Sequence, residues 1–180
     1  MSRVSIVYHS GYGHTKALAE AVAAGAAEVA GVEADLLSVD ALDEAAWERL
    51  DGAAAIVFGA PTYMGSASAP FKAFMDATSP RWAEQRWKDK LAAGFTNSGS
   101  WSGDKLTTLH QFVNLAGQHG MVWVSLGLMP GYNASGASPE DLNRVGGYVG
   151  AMAQSNVDEG PDVAPPAADR ETDRKSTRLN

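Results

Sequence analysis

Short apolar runs alternate along the chain with longer amphipathic stretches. The β-branched run RVSIVY, residues 3–8, is typical of a strand that is covered on both faces. The alanine-rich stretch after the next loop places Leu18 and Val22 on one helical face, and Gly31 is well placed to end this helix. The pattern therefore predicts a strand, a loop and a helix as the first unit.

The same alternation continues along most of the chain. Further strands are predicted at residues 32–39, 53–61 and 121–127, and another starts at residue 90 and runs into a glycine- and serine-rich loop that ends at residue 104. Helices are predicted between or after them at residues 43–50, 70–78, 105–116 and 138–154. In the last of these, Ser138 is the predicted N-cap and Pro139 the first helical residue.

Five strands with helical connections favour right-handed crossovers and a parallel sheet with helices on both faces. The predicted fold class is α/β, a doubly wound five-stranded parallel sheet. In such sheets the ligand lies beyond the carboxyl ends of the strands, where the strand order reverses. We expect three loops to meet there, namely HSGYGHT, APTYMGSASAP and TNSGSWSGD.

The end of the chain has a different composition. Residues 156–180 are rich in proline and charge and hold few apolar side chains, so we expect a disordered tail after a domain of residues 1–155. The final eight residues, DRKSTRLN, look like appended or misread sequence, and we assign them no function.

Composition limits the chemistry. A chain of 180 residues with 45% hydrophobic and 19% charged residues suits one globular domain. Because it has no cysteine, any redox chemistry must come from a bound cofactor. A net charge of −7 disfavours nucleic acid as a partner. No run suggests a membrane span or a signal peptide, and we expect a cytoplasmic protein that does not bind membranes.

The first loop differs from the common nucleotide-binding loops. It lacks the lysine followed by serine or threonine of a Walker loop. A dinucleotide fingerprint needs a third glycine after Gly11 and Gly13, and Lys16 stands at that position. Nucleoside triphosphates and an NAD-type fingerprint site are therefore both disfavoured.

What remains is a hydroxyl-lined loop at the start of a helix, which suits a single phosphate held by neutral donors. Ser10 and Thr15 would supply hydroxyl groups, whereas Tyr12, Gly13 and His14 would supply mainly backbone N–H groups. The alternative is that Ser10 and Thr15 only cap the helix. No metal-ligand cluster, paired carboxylates or serine–histidine–acid set stands out, so we assign no metal site and no catalytic residue.

Three separated motifs resemble the flavodoxin-like FMN proteins, and most closely the WrbA-type NAD(P)H:quinone oxidoreductases. They are VSIVYHSGYGHTKALAEAV, IVFGAPTYMGSASAPFKAFMD and HGMVWV, and the resemblance covers about residues 3–153. It implies a flavodoxin-like sheet of strand order 2-1-3-4-5 with bound FMN. It also implies NAD(P)H as the reductant, a small-molecule quinone as the acceptor, and a homo-oligomer, either a dimer or a tetramer.

The resemblance assigns cofactor-binding residues to three loops. The FMN 5′-phosphate would be held without a cation by Ser10, Gly11, Tyr12, Gly13, His14 and Thr15. The isoalloxazine ring would lie along Pro61, Thr62, Tyr63, Met64 and Gly65. The loop that closes over the ring from the other side would comprise Asn97, Ser98, Gly99, Ser100, Trp101 and Gly103.

Two further residues are assigned by the resemblance alone. His119 matches a histidine that contacts the flavin of a neighbouring subunit, and Trp82 lies near a tryptophan that lines the substrate side, where Tyr12 is also expected. Taken without the resemblance, His119 could equally cap backbone groups, and Trp82 could be a packing residue.

The chain departs from the family pattern in three places. Trp101 stands where the family has a run of glycines, and its indole would narrow or cover the ring pocket. Tyr63 replaces the arginine of the family's PTRF loop. Residues 39–53 leave room for only one short helix where the family has a long insertion that contributes to tetramer contacts, which leaves dimer and tetramer open.

Three functions fit these features. The first is an enzyme in which FMN takes a hydride at N5 from NAD(P)H and passes two electrons to a quinone. The second is a flavodoxin that carries single electrons between proteins, and the third is an NAD(P)H-dependent FMN reductase. Residues 1–157 hold 10 lysines and arginines against 15 acids, a modest excess for a surface that steers basic partners, which favours the enzyme.

Overall fold

The computed structural model describes residues 1–176. Its strands are β1 Ser2–Tyr8, β2 Val32–Ser38, β3 Ala55–Tyr63, β4 Ser66–Ala67, β5 Leu91–Ser98, β6 Val122–Trp123 and β7 Ala151–Gln154. Its α-helices are α1 His14–Ala27, α2 Glu44–Gly52, α3 Ala69–Ala77, α4 Ser79–Ala83, α5 Lys105–Gln118 and α6 Ala167–Ser176. No helix within these residues has the length and apolar character needed to cross a membrane.

The sheet confirms the predicted architecture. Its main strands run in the order β2-β1-β3-β5-β6, and each neighbouring pair is parallel. This is the predicted order 2-1-3-4-5, with β5 and β6 as the fourth and fifth main strands. The short β4 pairs antiparallel with the end of β3 and forms a hairpin at the carboxyl edge of the sheet.

The sheet edge beyond β5 is shared by two segments. β6 pairs with the start of β5, where Leu91 faces Val122, and β7 pairs with its end, where Phe95 faces Ala151. Residues 124–150 leave the sheet between these two strands. The predicted strand at residues 121–127 is therefore confirmed only for Val122–Trp123.

A hydrophobic core covers each face of the sheet. On one face the rings of Phe58, Phe71 and Phe112 contact one another, with centroids 5.0–6.5 Å apart. On the other face α1 packs Leu18 and Val22 against the sheet. Burial of these side chains is the main force that holds the helices to the sheet.

The helix predicted at residues 138–154 is wrong. The N-cap signature is present, because Ser138 Oγ accepts a hydrogen bond from Glu140 N and Asp141 Oδ2 accepts one from Ser138 N. The helix does not continue, because Asn143 adopts a positive φ of 49° and its side-chain amide bonds the backbone of Gly147. Residues 151–154 then form β7, which supplies partners for the exposed edge of β5.

The disordered tail expected after residue 155 is also wrong for residues 156–176. Helix α6 packs against α1 and β7. Its Asp169 is buried and receives two hydrogen bonds from Arg144, of 2.7 and 2.9 Å. The domain therefore includes this segment, and residues 177–180 of the expected tail lie outside the described residues.

Candidate functional site

A cavity of about 650 Å³ lies at the carboxyl edge of the sheet, within the range of small-molecule and cofactor sites. It is lined by Ser10, Tyr12, His14, Thr15, Pro61, Thr62, Tyr63, Asn97, Ser98, Gly99, Ser155, Val157, Asp158, Glu159 and Gly160. Four segments supply these residues. We call them L1 (residues 9–15), L2 (residues 61–68), L3 (residues 97–104) and the C-terminal strap (residues 155–161).

L1 forms the turn between β1 and α1. Gly13 has a φ of 89° and directly precedes α1, a conformation that favours glycine. Ser10 Oγ accepts a hydrogen bond of 3.1 Å from Lys16 N, and Thr15 is buried in the first turn of the helix. Ser10 therefore caps the helix, as the alternative interpretation proposed, and its hydroxyl proton can still be donated to a ligand.

Little free space surrounds the two glycines of L1. A Cβ atom on Gly11 would lie 2.7 Å from the Tyr63 hydroxyl oxygen, and one on Gly13 would lie 2.8 Å from Pro161 Cγ. L1 is thus enclosed by L2 on one side and by the C-terminal strap on the other. Its backbone N–H groups, at the positive end of the α1 dipole, are suited to hold an anion.

L2 is fixed to the core by three threonine hydroxyl groups. Thr62 Oγ1 lies 2.8 Å from Thr96 Oγ1 and 2.7 Å from Thr108 Oγ1, and all three side chains are buried. The hairpin tip consists of Met64 and Gly65, both with positive φ, as a two-residue turn between β3 and β4 requires. Met64 points away from the protein, and neither tip residue lines the cavity.

Two tyrosines stand at the mouth of the cavity. The rings of Tyr12 and Tyr63 meet edge to face with centroids 6.3 Å apart, and Tyr12 is 77% exposed. Partial burial and the neighbouring Tyr12 raise the pKa of Tyr63, so its phenol stays protonated at neutral pH. Tyr63 occupies the position of the family's arginine and contributes a flat ring in place of a charge.

His9 links the base of L1 to L2. It is buried, and its Nδ1 lies 2.8 Å from the hydroxyl oxygen of Ser68, which directly precedes α3. Its Nε2 lies 4.0 Å from Asp40 Oδ2. The hydroxyl of Ser68 is buried and not open to the cavity, so this serine, histidine and aspartate connect loops and do not form a nucleophilic site.

L3 is organised around a lysine that sequence reasoning did not identify. Lys105 is the first residue of α5, and its Nζ donates to Ser98 Oγ, Ser100 O and Trp101 O over 2.7–2.9 Å. Burial lowers the pKa of Lys105 to about 8. Gly103 completes the turn, where a Cβ atom would overlap the Ser98 side chain. The sequence did contain a signal for Lys105. A lysine at the first position of a helix is unfavourable, because the positive end of the helix dipole lies there.

The indole of Trp101, which the sequence suggests would narrow or cover the ring pocket, does not line the cavity. Its indole lies under the guanidinium of Arg144, with 4.6 Å from Cζ to the ring centroid, and 6.4 Å from the ring of Tyr132. These contacts hold the indole on the outer side of L3. Trp101, Ser100 and Gly103 are accordingly not among the residues that line the cavity, whereas Asn97, Ser98 and Gly99 are.

The C-terminal strap is the part of the site that the sequence prediction missed. Ser155 N donates to Ser98 O over 3.1 Å, and Ser155 Oγ donates to Asn97 Oδ1 over 2.9 Å. At its other end the strap reaches L1, where His14 Nε2 lies 2.8 Å from Glu159 O. The strap therefore connects L3 to L1 across the cavity, and His14 binds the strap through its side chain.

His119 and Trp82 lie at the opposite edge of the sheet. His119 follows α5, which returns the chain to the amino ends of the strands, and it is 1% exposed. Its Nε2 lies 2.9 Å from Thr78 Oγ1, and its ring lies 4.6 Å from the ring of Trp87. The expectation that His119 reaches a neighbouring flavin is corrected, because its ring is enclosed by its own chain. Trp82 is exposed near this end and does not line the cavity.

A phosphate bound in this cavity would have to be held by neutral donors. Among residues 1–176, those that line the cavity include no lysine or arginine, whereas Asp158 and Glu159 are present. Glu159 Oε2 accepts a hydrogen bond from Asn156 Nδ2, which holds this carboxylate to the strap. The enclosed L1, its helix N-terminus and a cavity of this volume fit FMN better than a free anion.

The family comparison agrees with this geometry. The model of the family described as NADPH-dependent FMN reductase matches residues 9–132, which include L1, L2 and L3. The C-terminal strap lies beyond the matched residues.

Individual relatives carry two kinds of name. The chain is 49% identical over 175 residues to Flavodoxin FldP of Pseudomonas aeruginosa, covering 96% of this chain and 91% of that protein. It is 31% identical over 181 residues to a protein named NAD(P)H dehydrogenase (quinone) from Trichlorobacter lovleyi, covering 86% and 89%.

A solved structure supports the same assignment. A crystal structure of a WrbA-like flavodoxin from Agrobacterium tumefaciens matches with a TM-score of 0.77 and 44% identity, covering 99% of this chain and 95% of that chain. These comparisons confirm the resemblance that the three sequence motifs indicated.

Proposed function

Because the chain belongs to the NADPH-dependent FMN reductase family, we propose that it binds FMN in the cavity and transfers a hydride from NADH or NADPH to a quinone. The observation that carries the proposal is L1, which lies between Tyr63 and Pro161, contains no lysine or arginine and lines one cavity together with residues of L2 and L3. When bound, FMN supplies the redox chemistry, and the protein supplies binding, orientation and electrostatics.

L1 would hold the phosphate of FMN. The hydroxyl groups of Ser10 and Thr15 and the N–H groups at the start of α1 are the available donors. A phosphate monoester that never reacts needs to be positioned, whereas phosphoryl transfer requires cations to neutralise developing charge. The lack of lysine and arginine in the cavity lining is consistent with such an anchor.

L2 and L3 would hold the ring. Pro61 and Thr62 form one wall, made rigid by the threonine hydroxyl groups, and Asn97 to Gly99 form the facing wall. Tyr12 and Tyr63 at the mouth give flat apolar surfaces on which a nicotinamide and then a quinone can stack. No protein acid or base is required for hydride transfer to a flavin, so we assign no catalytic side chain.

The proposal includes self-association. The family resemblance implies a dimer or a tetramer, and exposed Tyr12, Met64 and Trp101 near the cavity offer apolar contact area. Light scattering of the purified protein tests this part. A monomer at all concentrations would contradict the oligomer without affecting the cofactor assignment.

A second candidate is supported by one specific observation. The relative that is 49% identical is named a flavodoxin, so a carrier of single electrons between proteins is the alternative function. The net charge of −7 is compatible with a basic partner protein, although the excess of acids is modest. In this alternative the protein needs no site for pyridine nucleotide or quinone.

Anaerobic reduction separates the two candidates. The FMN-loaded protein is mixed with NADH or with NADPH, and the flavin absorbance is followed before and after addition of a quinone. The enzyme is supported if the flavin bleaches rapidly in a two-electron step and a quinone restores it over many turnovers. A protein that is inert to both nucleotides but shows two separate one-electron steps in a chemical titration is a carrier.

A further control addresses the FMN reductase alternative. The flavin is measured in the filtrate after ultrafiltration of the oxidised and of the reduced protein. Retention of FMN in both states supports a resident cofactor, whereas release on reduction would show that FMN is a substrate.

A further inference from the structure

The buried cation behind L3 has no function in the proposed hydride transfer. Lys105 is 1% exposed, and its Nζ donates one hydrogen bond to a hydroxyl group and two to backbone carbonyl groups. These three acceptors use all three protons of the ammonium group. Within residues 1–176 no carboxylate is among the hydrogen-bond partners of this Nζ.

Burial of the Lys105 ammonium group costs folding free energy, which a purely structural contact would not require. Burying a charge without a paired opposite charge opposes folding, and a neutral side chain could fill the same space at lower cost. The charges of Asp169 and Arg144 act on Lys105, but these two groups bind each other through a bidentate pair. The positive charge of Lys105 is thus left to act on whatever occupies the cavity beside Ser98, whose side chain Lys105 holds.

We propose that Lys105 is a positioning residue for the flavin, which fixes L3 as the wall of the ring site and favours the reduced cofactor through its ammonium charge. This inference rests on the proposed binding of FMN. Reduction adds negative charge to the flavin ring, and a cation held one hydroxyl group behind the cavity wall stabilises that charge in a medium of low dielectric constant. The reduction potential of bound FMN is therefore higher with Lys105 than without its charge.

The chain offers a matched control at the other end of β5. Lys90 is also partly buried, and its Nζ donates to the carbonyl groups of Asp51 and Ala53. Burial lowers the pKa of Lys90 as well. Because Lys90 directly precedes β5, at the amino edge of the sheet, its charge lies a full strand length from the cavity.

The experiment compares Lys105→Met, Lys105→Arg and Lys90→Met with the wild-type protein. Three quantities are measured for each: the midpoint potential of bound FMN by a xanthine–xanthine oxidase titration, the FMN Kd by fluorescence quenching, and the melting temperature of the apo-protein. We expect Lys105→Met to lower the midpoint potential and to weaken FMN binding roughly tenfold, because L3 loses the three hydrogen bonds that fix its turn. Lys105→Arg keeps the charge and should keep the potential near the wild-type value even if L3 shifts.

The pH dependence gives a second readout that does not require a stable methionine variant. Asp169 and Arg144 are the charged groups whose electrostatic interaction with Lys105 acts on its pKa, Asp169 raising it and Arg144 lowering it. As the pH rises above about 8, Lys105 loses its proton in the oxidised protein. The midpoint potential of wild-type FMN should then fall more steeply with pH, and this change of slope should be missing in Lys105→Arg.

The possible outcomes distinguish failure of the proposed role of Lys105 from failure of the proposed binding of FMN. If Lys105→Met keeps the wild-type potential and only loses stability, as Lys90→Met does, Lys105 is structural and the inference is wrong. If the potential of the wild-type protein shows no change of slope near pH 8, the charge does not act on the flavin. If the wild-type protein binds no FMN at all, the proposed function fails before any variant is made.

Discussion

The two ends of strand β5 differ in what surrounds them. At the amino end Trp87, His119 and Thr78 are buried, and His119 contacts both the ring of Trp87 and the hydroxyl of Thr78. At the carboxyl end Asn97 and Ser98 face a cavity between four segments of the chain. One strand therefore ends in a stabilising cluster on one side and in a binding site on the other, as is typical of doubly wound sheets.

The amino end is held by converging contacts to one carboxylate. Asp51 accepts hydrogen bonds from Trp87 Nε1 over 2.8 Å, from Arg81 Nε over 3.1 Å and from Arg86 Nη1 over 3.2 Å. Every donor comes from residues 81–87. These contacts hold residues 81–87 to the carboxylate of Asp51, at the end of the sheet opposite the cavity.

The carboxyl end is held by hydrogen bonds between distant segments. Ser155 binds Asn97 of L3, and His14 of L1 binds Glu159 of the strap. Lys105 adds local bonds to the turn of L3. The segments are linked through side-chain hydrogen bonds rather than through a shared apolar core. Single substitutions should therefore separate these segments with little loss of overall stability. Mutations at the two ends should therefore separate stability from cofactor binding.

The largest expected effect is at the amino end. Trp87→Ala removes a fully buried indole, and we expect a loss of about 3–5 kcal/mol in the free energy of unfolding. Urea unfolding of the apo-protein measures this loss. The FMN Kd of the folded fraction should not change, because Trp87 lies a strand length from the cavity. Trp82→Ala, an exposed tryptophan nearby, is the control and should change stability by only about 0.5 kcal/mol.

A comparable loss is expected where α6 joins the carboxyl end. Asp169→Ala leaves the Arg144 guanidinium buried without its partner, which should cost about 3–5 kcal/mol in urea unfolding. Here FMN binding should weaken as well, because Gln154 N loses its acceptor just before the strap begins. Glu33→Ala breaks the exposed pair with Arg3 and should cost at most about 1 kcal/mol. An unchanged FMN Kd in Asp169→Ala would show that the strap is held independently of α6.

A smaller effect, confined to the ligand, is expected in L1. Ser10→Ala and Thr15→Val should each weaken FMN binding by about 1–3 kcal/mol, the cost of one lost hydrogen bond to a charged group. Fluorescence quenching of FMN measures the change. Thr78→Val removes a buried threonine hydroxyl at the amino end and should leave the Kd unaltered. If the L1 double variant still purifies with a full complement of flavin, the phosphate assignment is wrong.

The last two expected effects are changes of stability with pH, caused by one titrating side chain at each end of the strand. Burial lowers the pKa of His119 below its usual value of 6.5, so the folded protein binds fewer protons than the unfolded chain in mild acid. Stability from this group is complete above about pH 6.5 and decreases as the pH falls below it. His119→Gln should flatten that decrease in a pH series of melting temperatures.

Lys105 affects the stability of the apo-protein at alkaline pH, whereas His119 affects it at acid pH. Because its pKa is lowered from 10.5 to about 8, apo-protein stability should rise as the pH increases between these values. This rise should be missing in Lys105→Met. A rise of the same size in that variant would assign the effect to another group.

The elements that were predicted correctly are those whose local pattern and tertiary setting agree. β1 and β3 are apolar runs that end in turns, and α1 combines alanine with a buried face. The helix expected at residues 138–154 failed because the edge of β5 needed a partner and because Asn143 left the helical region. Local capping signals could not reveal either cause.

The site was predicted only in part, for the same reason. Loops L1, L2 and L3 follow parallel strands, so their meeting at the carboxyl edge follows from topology and could be inferred. The strap could not be inferred, because polar and acidic composition predicts disorder unless a partner surface is known. The positions of Trp101 and His119 depend on contacts with Arg144 and Trp87, which lie far from them along the chain.

The sequence by itself determined the fold class and the absence of lysine and arginine between residues 9 and 15, because apolar periodicity and residue content are local properties. The strand order was implied by the family resemblance and is confirmed by the sheet. Only the tertiary structure decided which side chains face the cavity. In the tertiary structure Trp101 lies on the outer side of L3, and His119 is buried at the opposite end of the sheet. The strap contacts L1, and the ammonium group of Lys105 lies behind L3. These positions depend on packing between segments that are distant in the chain, and such packing produces no local pattern in the sequence.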